Sequence, residues 1–592
     1  MLSNKNDGWW RYGRIFLALL FGLWAITVTF NAFAWGYLPE SSLGGVNVRY
    51  VSPSGQDLAN SCTNLANPCA TLQRAVDVAL AGDEIRLAEG TYGDVSTFNG
   101  LDQIAYIDTS LTIRGGYTAT DFDHSHPQTQ TTILDAQTLG RGLVITGSVT
   151  AVIENLTIQN GDAAGQGGAI DTFGCNDAGG GIFAQNAQIS LINNVVRDNI
   201  ACDGGGIYIV NSPKAILHGN HISANQAYDY GGGFGLIGSN SAAVVENQIF
   251  QNLADEIGAG TGQKHCGGGQ INNSTDVQVE GNTIYENVAA NSGGGLCLSF
   301  AHSARVQNNL VYNNFRKGGF EGNGAGISIY ASNSVLVVAN MIYGNGSQLV
   351  TDMGTLRGGG IYAEASNNLL FAQNQIYDNL ATLGGGFYLD SCQMAEFQAN
   401  IIRNNFAKDM PDRDEGFGGG IFATGTDFVA TNSVIIDNVA DIASSGSGVH
   451  LQSSEGMFWH PTIARNNSIT GTAVFLSDTL STVTITNAIV VSHSVGIDAS
   501  TGGTATVSHV LWYANNQNTV GTESVTEAIT ADPQFAADGF HLTLNSPALN
   551  QATISNVLTD IDGELRPAYP FLPDLGADER HYFVYFPFIA KP

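Results

Sequence analysis

The stretch that decides the fold is GGGIYAE at residues 358–364, followed by NQIYDN at residues 374–379. The same unit returns as GGGIY (204–208) ahead of NHISAN (220–225). It recurs about nine times between Gly179 and Gly448, at intervals of roughly 25–36 residues. Self-similarity with a period of that size predicts a solenoid of stacked repeats.

The runs between these motifs are short, alternate in polarity and are cut by Gly, Asn and Ser. Period-2 alternation predicts strands, and a unit of roughly 26 residues has room for about three of them. Stacked coils of this kind make a parallel β-helix, with glycines at tight turns and asparagines that tolerate left-handed backbone and stack coil on coil. Ile207, Ile361, Phe387 and Ile421 then point inward, and the aromatic residue after each points outward.

The repeat resembles that of right-handed parallel β-helix proteins of the pectate-lyase-like kind, over residues 107–528. The resemblance implies an all-β solenoid on a fold that hosts polysaccharide lyases, hydrolases, phage tailspikes and adhesins. No set of acidic calcium ligands beside a Lys or Arg base matches a pectate lyase in this sequence, so that family's catalytic residues are not carried over.

The beginning of the chain predicts export and a capped solenoid. Residues 1–34 combine basic residues, an apolar run and an A-x-A-like site, which is the pattern of a signal peptide; a retained membrane anchor is the alternative. Residues 47–106 are predicted to cap the β-helix with a helix that Thr71 N-caps and Gly82 ends. A strand at residues 84–87 follows.

The C-terminal part is predicted to be a small β segment. Residues 529–580 resemble the choice-of-anchor Q domain, which ends many secreted bacterial β-helix proteins. Within it, Asp560-x-Asp562-Gly563 could begin a calcium loop, but the further ligands are missing, so a turn is the preferred interpretation. Residues 581–592 form an apolar tail that is too short to span a bilayer.

Charge and cysteine content limit the partners. The 592 residues carry a formal net charge of −30, which argues against nucleic acid as a partner and repels anionic polysaccharides unless cations bridge them. Cys62 and Cys69 flank a short turn and predict a local disulfide. Cys175 and Cys202 lie about one coil apart and predict a second one. The sequence leaves Cys266, Cys297 and Cys392 unassigned.

Extra residues fall at one phase of the repeat, between the asparagine motif and the next glycines. Insertions at one phase project from one edge of a solenoid, so these loops either wall a binding groove or are plain surface loops. They concentrate charge in a chain of which only 12% is charged. Asp352 and Arg357, in the loop before GGGIYAE, are the candidate substrate-binding residues among them.

Two rows of aromatic residues are predicted to run along the solenoid. One row is Phe250, Tyr285, Tyr312, Tyr343 and Tyr377; the other is Phe183, Tyr208, Tyr362, Tyr388 and Phe422, interrupted by Gly235, Ile271, Cys297 and Ser328. Such rows are either a platform on which sugar rings stack or a ladder that stabilises the coils, and the ladder is favoured because it needs no ligand. As platform residues, Tyr343, Tyr362, Tyr377 and Tyr388 are candidate substrate-binding residues.

Glu364 and Asp390 hold the same outward phase on adjacent coils, with Tyr330 at that phase on the coil before. Their backbones should lie about 5 Å apart, one strand spacing. Two carboxyls that close suit acid–base work on a glycosidic bond, a calcium site or sugar binding, and an exposed pair tolerated by solvent is the simplest alternative. Tyr330 is a further candidate for substrate binding.

These patterns predict an exported or cell-surface β-helix protein that binds extracellular polysaccharide or another surface without catalysis. The alternative is a polysaccharide lyase or glycoside hydrolase that uses Glu364 and Asp390. A purely structural surface-layer spacer is the third interpretation. We expect no cofactor other than calcium at the carboxylate pair, and membrane contact only through the N-terminal signal or C-terminal anchoring.

Overall fold

The chain forms short strands because its apolar residues alternate with polar ones and many of these runs end at a residue with positive φ. The computed structural model describes residues 47–169, 176–255, 265–317, 322–347, 354–409, 416–442, 446–467, 471–521, 523–568 and 570–580. Residues 1–47 and 48–592 cluster as separate units, and all the strands of the described ranges lie in the second. The signal-peptide prediction (1–34) and the tail (581–592) lie outside the described residues.

The strands stack as a parallel β-helix, which confirms the predicted fold. Sheet 1 has thirty strands in the described part of the chain and contains two rows. Its first row is Val48–Val51, Glu84–Ala88, Leu111–Tyr117, Thr150–Glu154, Gln188–Ile192, Ile216–His218, Ala243–Val245, Gln278–Glu280, Arg305–Gln307, Leu336–Val338, Leu370–Ala372, Ala395–Gln398, Asp427–Thr431, Glu455–Trp459, Thr482–Val491, Thr504–Tyr513 and Glu523–Thr530. Its second row is Gly90–Tyr92, Thr132–Asp135, Thr157–Gln159, Val195–Arg197, His221–Ser223, Gln248–Phe250, Thr283–Tyr285, Leu310–Tyr312, Met341–Tyr343, Gln375–Tyr377, Ile401–Arg403, Val434–Ile436 and Thr462–Ala464.

Sheet 2 has sixteen strands in the described residues, and all its pairs are parallel except the first. Its strands are Ser96–Phe98, Leu101–Ile107, Arg141–Thr146, Ile182–Gln185, Ile207–Val210, Phe234–Ile237, Gly269–Asn272, Leu296–Ser299, Ile327–Tyr330, Ile361–Glu364, Phe387–Asp390, Ile421–Thr424, Val449–Gln452, Thr472–Leu476, Val495–Ala499 and Gln517–Gly521. Three small sheets close the coils: Ile200–Asp203, Gln226–Tyr230, Leu253–Ala254, Val288–Ala289, Phe315–Arg316 and Gly346–Ser347; Leu380–Ala381, Phe406–Ala407 and Val439–Ala440; and Gly322–Asn323 with Leu356–Arg357.

A full coil therefore has four short strands, one more than the sequence predicted. The coil that starts at Ile207–Val210 continues through Ile216–His218 and His221–Ser223 to Gln226–Tyr230. The second and third strands are separate because Gly219, with φ 65°, bends the chain between them. Parallel pairing also begins at Val48, so the stack starts well before residue 107.

The core lies between the sheets, and the predicted inward residues Ile207, Ile361, Phe387 and Ile421 are all fully buried in it. At one end, the helix Leu72–Asp77 packs Leu72, Ala75 and Val76 against this core. The Thr71 side chain accepts a hydrogen bond from the Arg74 amide, which confirms the predicted N-cap. Among the described residues, no helix is long and apolar enough to cross a membrane.

Two rows of buried asparagines tie successive coils together between Asn194 and Asn466. The side-chain amide of each donates to the Oδ1 of its neighbour along Asn194, Asn220, Asn247, Asn282, Asn309, Asn340, Asn374 and Asn400. A second row runs along Asn199, Asn225, Asn252, Asn287, Asn314, Asn345, Asn379, Asn405, Asn438 and Asn466. These rows satisfy polar groups inside the solenoid, where an unpaired amide would be costly.

The asparagines of these rows do not themselves adopt left-handed backbone, which corrects one expectation. The residue before each one does, as Glu246 (φ 54°) and Gln251 (φ 55°) show. The bend at that residue turns the next side chain inward, where it meets its neighbour.

The second asparagine row ends on His493, whose Nε2 accepts a hydrogen bond from the backbone amide of Asn466. Burial lowers the pKa of His493 to about 3, so the ring stays neutral and keeps that acceptor.

The disulfides place the cysteines that the sequence left unassigned. Cys62 and Cys69 are bonded as predicted, with Cα atoms 5.1 Å apart. Cys266 is bonded to Cys297 on the next coil, with Cα atoms 5.5 Å apart, and Cys392 is free and buried. Cys175 lies outside the described residues, so its pairing with Cys202 stays a prediction.

The C-terminal segment, residues 531–580, packs on the outer surface of the last coils of sheet 1. Phe540, Leu542 and Leu575 join an apolar cluster with residues of those strands. The buried Arg566 donates to Glu579 and, across the interface, to the Asn432 side chain. In the described residues of this segment the pairing is limited to isolated bridges, so the expected β segment is mostly turns.

Asp560 confirms that Asp560-x-Asp562-Gly563 is a turn. One oxygen of its buried carboxylate accepts from the amides of Asp562 and Glu564, and the other accepts from the amide of Glu579. A carboxylate whose oxygens are used in this way has its role in the backbone turn.

Replacing Asn247 with alanine should lower the free energy of unfolding by about 2–4 kcal/mol, because it leaves buried partners on both neighbouring coils without their hydrogen bonds. Asn247 donates to Leu217 O and Asn282 Oδ1 and accepts from Asn220. Denaturant unfolding measures the change. The matched control is Gln248→Ala, the adjacent exposed amide, which should change stability little; equal losses from both would contradict a structural role for the row.

Candidate functional site

The strands of sheet 2 present two outward rows, which alternate with the inward residues. The covered row contains Ser328, Tyr362, Tyr388 and Phe422 in register. The open row contains Ser299, Tyr330, Glu364, Asp390 and Thr424 in register. In-register pairing thus brings together the predicted carboxylates and Tyr330, each about 4.8 Å from the next along the stack.

The covered row is not a sugar platform, which corrects that expectation for Tyr362 and Tyr388. Only 3% of Tyr362 and 5% of Tyr388 is exposed, because Leu383 and Phe417 pack over them. The rings stack face to face, with centroids 5.5 Å apart between the two tyrosines and 5.1 Å between Tyr388 and Phe422. They form an apolar cluster that is separate from the main core.

The sequence predicts Ile271 as one of the residues that interrupt this aromatic row, and this is wrong. Gln270 holds the outward position next to Gly235. The shift arises because Cys266, with φ 70°, takes the turn position that glycine holds in other coils. Gly269 then falls at the inward position, where a Cβ would lie only 2.1 Å from the Phe234 ring. The phenylalanine fills the space that the glycine leaves.

The carboxylates of Glu364 and Asp390 lie on paired strands and are half-buried. Glu364 Oε2 accepts a hydrogen bond from the Tyr362 hydroxyl, and Asp390 Oδ1 accepts one from Ser391 Oγ at 2.8 Å. Among the described residues, neither Glu364 Oε1 nor Asp390 Oδ2 has a hydrogen-bond partner. Each carboxylate therefore keeps one oxygen available on the open row.

The neighbouring tyrosines are donors and not bases. Burial, followed by the hydrogen bond to Glu364, raises the pKa of Tyr362. Burial and the charge of Asp390 raise the pKa of Tyr388 to about 12, although the nearby Arg357 guanidinium opposes the shift. Both hydroxyls stay protonated at neutral pH. Arg357 thus lies at the covered row, and its predicted companion Asp352 lies outside the described residues.

Tyr330 is 43% exposed, and a second exposed ring lies beside it. Phe300, 45% exposed, meets it edge to face with centroids 5.8 Å apart. Large apolar side chains exposed as a pair, next to carboxylates, are a feature of binding surfaces. The structure therefore adds Phe300 to the candidate site.

Phe300 occupies a strained backbone position. Its φ is 51°, and the bends at the same phase of the next coils, also at positive φ, are Ala331, Ala365 and Ser391. Positive φ is unfavourable for a bulky side chain, so a phenylalanine at this bend is exceptional. Sequence reasoning missed Phe300 because the bend follows the strand motif, and only the coil alignment shows that small residues hold this position elsewhere.

The aromatic row of sheet 1 is a ladder. Phe250, Tyr285, Tyr312, Tyr343 and Tyr377 stack with successive centroids 4.9, 5.0, 5.1 and 4.9 Å apart and planes within 6°. The Arg403 guanidinium covers the last ring at 5.2 Å from its centroid. Since a sugar stacks on a free ring face, the expectation that Tyr343 and Tyr377 stack sugars is wrong.

Calcium at the carboxylate pair stays a prediction, and the described residues add no third acidic, histidine or cysteine ligand to that pair. Calcium takes roughly six to eight oxygen ligands. Among the described residues, the clusters of three or more ligating side chains are Cys202, Asp203 and Asp229, and His541, Asp562 and Asp578; neither includes Glu364 or Asp390. Cys202 is in a disulfide, and both ring nitrogens of His541 already contact carboxylates, those of Asp538 and Asp562.

The sequence comparisons agree with the coil geometry. The family described as right handed beta helix region matches residues 141–321 and 270–467, together more than half of the chain. The chain belongs to the right-handed β-helix family. The solenoid is thus right-handed, as the sequence resemblance implied. A comparison with curated proteins finds no match.

Solved β-helix structures resemble the chain at low identity. Pectate lyase Pel9A is 11% identical, with 91% of this chain and 98% of that chain covered and a TM-score of 0.29. The periplasmic alginate epimerase AlgG is 15% identical, with 64% and 72% covered and a TM-score of 0.34. The Dettilon tailspike protein is 13% identical, with 74% and 69% covered and a TM-score of 0.36. These likenesses concern the fold alone.

Replacing Tyr312 with alanine should lower the free energy of unfolding by about 1–3 kcal/mol, because the ring packs on both faces against the ladder of the β-helix. Thermal unfolding measures the loss. Tyr513→Ala, at an exposed tyrosine outside the ladder, is the control and should have a smaller effect. A stable Tyr312→Ala protein with altered glycan retention would contradict the ladder and favour a platform.

Proposed function

We propose that the chain is an exported or cell-surface β-helix protein that binds polysaccharide without cleaving it. The single observation that carries this proposal is the open row of sheet 2, where Tyr330 and Phe300 are exposed beside Glu364 and Asp390. Exposed rings bind the apolar faces of sugars, and carboxylate oxygens accept hydrogen bonds from sugar hydroxyls. The half-buried carboxylates are fixed by the strands that carry them.

The strain at Phe300 supports a binding role. A bulky residue at positive φ costs of order 1–3 kcal/mol, and such strain persists where the surroundings or a function require it. Alanine and serine hold the same bend on the next coils without a bulky side chain. The ring at this position is exposed, so packing in the core does not account for it.

A non-catalytic role is favoured over the enzyme alternative. Lytic cleavage needs a base close to the sugar ring, and the hydroxyls of Tyr362 and Tyr388 are held protonated by raised pKa values. One observation keeps a glycoside hydrolase as the second candidate: Glu364 and Asp390 are direct neighbours, each with one available oxygen.

Export by residues 1–34 and surface attachment through the choice-of-anchor Q-like segment at residues 529–580 are parts of the same proposal.

Immobilised polysaccharides should retain the protein, and Tyr330→Ala should weaken retention about 5–30-fold, because the variant loses a stacking ring. Tyr513→Ala is the matched control for loss of an exposed tyrosine and should bind like the parent protein. Reducing ends and unsaturated uronate absorbance are followed in the same samples.

Product formation that disappears in Glu364→Gln would replace the binding proposal with the hydrolase or lyase. Neither retention nor product on a broad polysaccharide panel would leave the structural spacer as the remaining interpretation and refute the binding proposal.

A further inference from the structure

We infer that the open row of sheet 2 selects glycans with protonated amino groups over uronate-bearing glycans. The inference rests on the proposed function and specifies its ligand class. It follows from the signs of the charges at the row, from the availability of the carboxylate oxygens and from the position of the exposed rings.

The charge of the row is negative. Its outward residues from Leu296–Ser299 through Ile421–Thr424 are Ser299, Tyr330, Glu364, Asp390 and Thr424, and these described strands contain neither lysine nor arginine. The Arg357 guanidinium is placed beside Tyr388 of the covered row. A uronate chain laid along the open row would bring its carboxylates against Glu364 and Asp390.

The oxygens of these carboxylates suit an ammonium donor. Glu364 Oε1 and Asp390 Oδ2 have no hydrogen-bond partner among the described residues, while their second oxygens are held by Tyr362 and Ser391. An ammonium group has three donors and forms charge-assisted hydrogen bonds with ionised carboxylates. The held oxygens fix the orientation, so binding does not have to order these side chains.

Tyr330 adds a second interaction for the same ligand. It lies in register with Glu364, one strand spacing away, and a cation positioned over its ring face is attracted by the π system. Phe300 meets Tyr330 edge to face and extends the apolar surface. From Ser299 to Asp390 the row covers three strand spacings, roughly 14 Å, along which an extended oligosaccharide can lie.

We expect bridging cations not to reverse this preference. A uronate could bind a negative surface through calcium, but none of the three-ligand clusters in the described ranges includes Glu364 or Asp390. The net charge of −30 further disfavours anionic glycans.

The test is calorimetric titration of the full protein with three oligosaccharides of equal length at low salt. They are a glucosamine oligomer at a pH that protonates its amines, the same oligomer fully N-acetylated, and a galacturonate oligomer with and without calcium. We expect the glucosamine oligomer to bind at least tenfold more tightly than its N-acetylated form. This ratio should fall to within twofold in Glu364→Gln/Asp390→Asn, because both carboxylate charges are lost.

General attraction to an acidic protein is tested by Asp198→Asn/Asp378→Asn, which removes two exposed charges on other faces and should keep the tenfold ratio. Equal or tighter binding of the N-acetylated oligomer, or calcium-free binding of the galacturonate oligomer, would overturn the inference while the proposed function survives. A ratio that falls equally in both double variants would also overturn it. Absence of binding by any oligosaccharide, also on the polysaccharide panel, would refute the proposed function itself.

Discussion

The fold depends on in-register stacking of one coil on the next. Backbone ladders alone would allow a strand to slip by two residues with little loss, because the inward and outward faces would be kept. The asparagine rows remove this freedom, because each buried amide must meet the Oδ1 of its counterpart one coil away. Position along the coil is therefore fixed residue by residue, and side chains of like phase form straight rows.

That constraint explains how the candidate site is assembled. Glu364 follows Tyr330 by 34 residues and Asp390 follows Glu364 by 26, yet each is the direct neighbour of the next in the sheet. No loop has to fold around a ligand to bring them together. The sheet fixes the backbone of this surface for the same reason, and a surface held in this way loses little conformational freedom on binding. The strained bend at Phe300 is supported by a backbone hydrogen bond from its amide to Tyr330 O.

The two ends of the solenoid are protected by different features of the chain. The helix Leu72–Asp77 covers the core at the first coils. On the last strand of sheet 1 the inward position opposite Ala505 is taken by Glu523. This exposed charge opposes edge-to-edge association at a strand whose outer edge has no partner among the described residues. The C-terminal segment is bound to the side of the last coils through Arg566, whose buried guanidinium links Glu579 to Asn432.

The sequence predicts the stacking, the inward residues and the carboxylate pair well, because glycines and asparagines mark the phase of almost every coil. The prediction fails where this glycine signal changes. Cys266 replaces a glycine at the turn and so shifts the outward position to Gln270. It also fails where burial depends on segments without periodicity, since Leu383 and Phe417 cover Tyr362 and Tyr388 without any repeat signal. Phe300 is recognisable only when its coil is aligned with those that follow.

Disulfide trapping tests the in-register row most directly. In a Cys392→Ser background, Tyr330→Cys/Glu364→Cys places two thiols on neighbouring strands with Cα atoms about 4.8 Å apart, within the roughly 4.4–6.8 Å that a disulfide spans. Tyr330→Cys/Asp390→Cys places them two coils apart, beyond that reach. Peptide mass spectrometry after mild oxidation should find the cross-link in the first variant alone. A cross-link in the second variant, or in neither, would contradict the stacking on which the site depends.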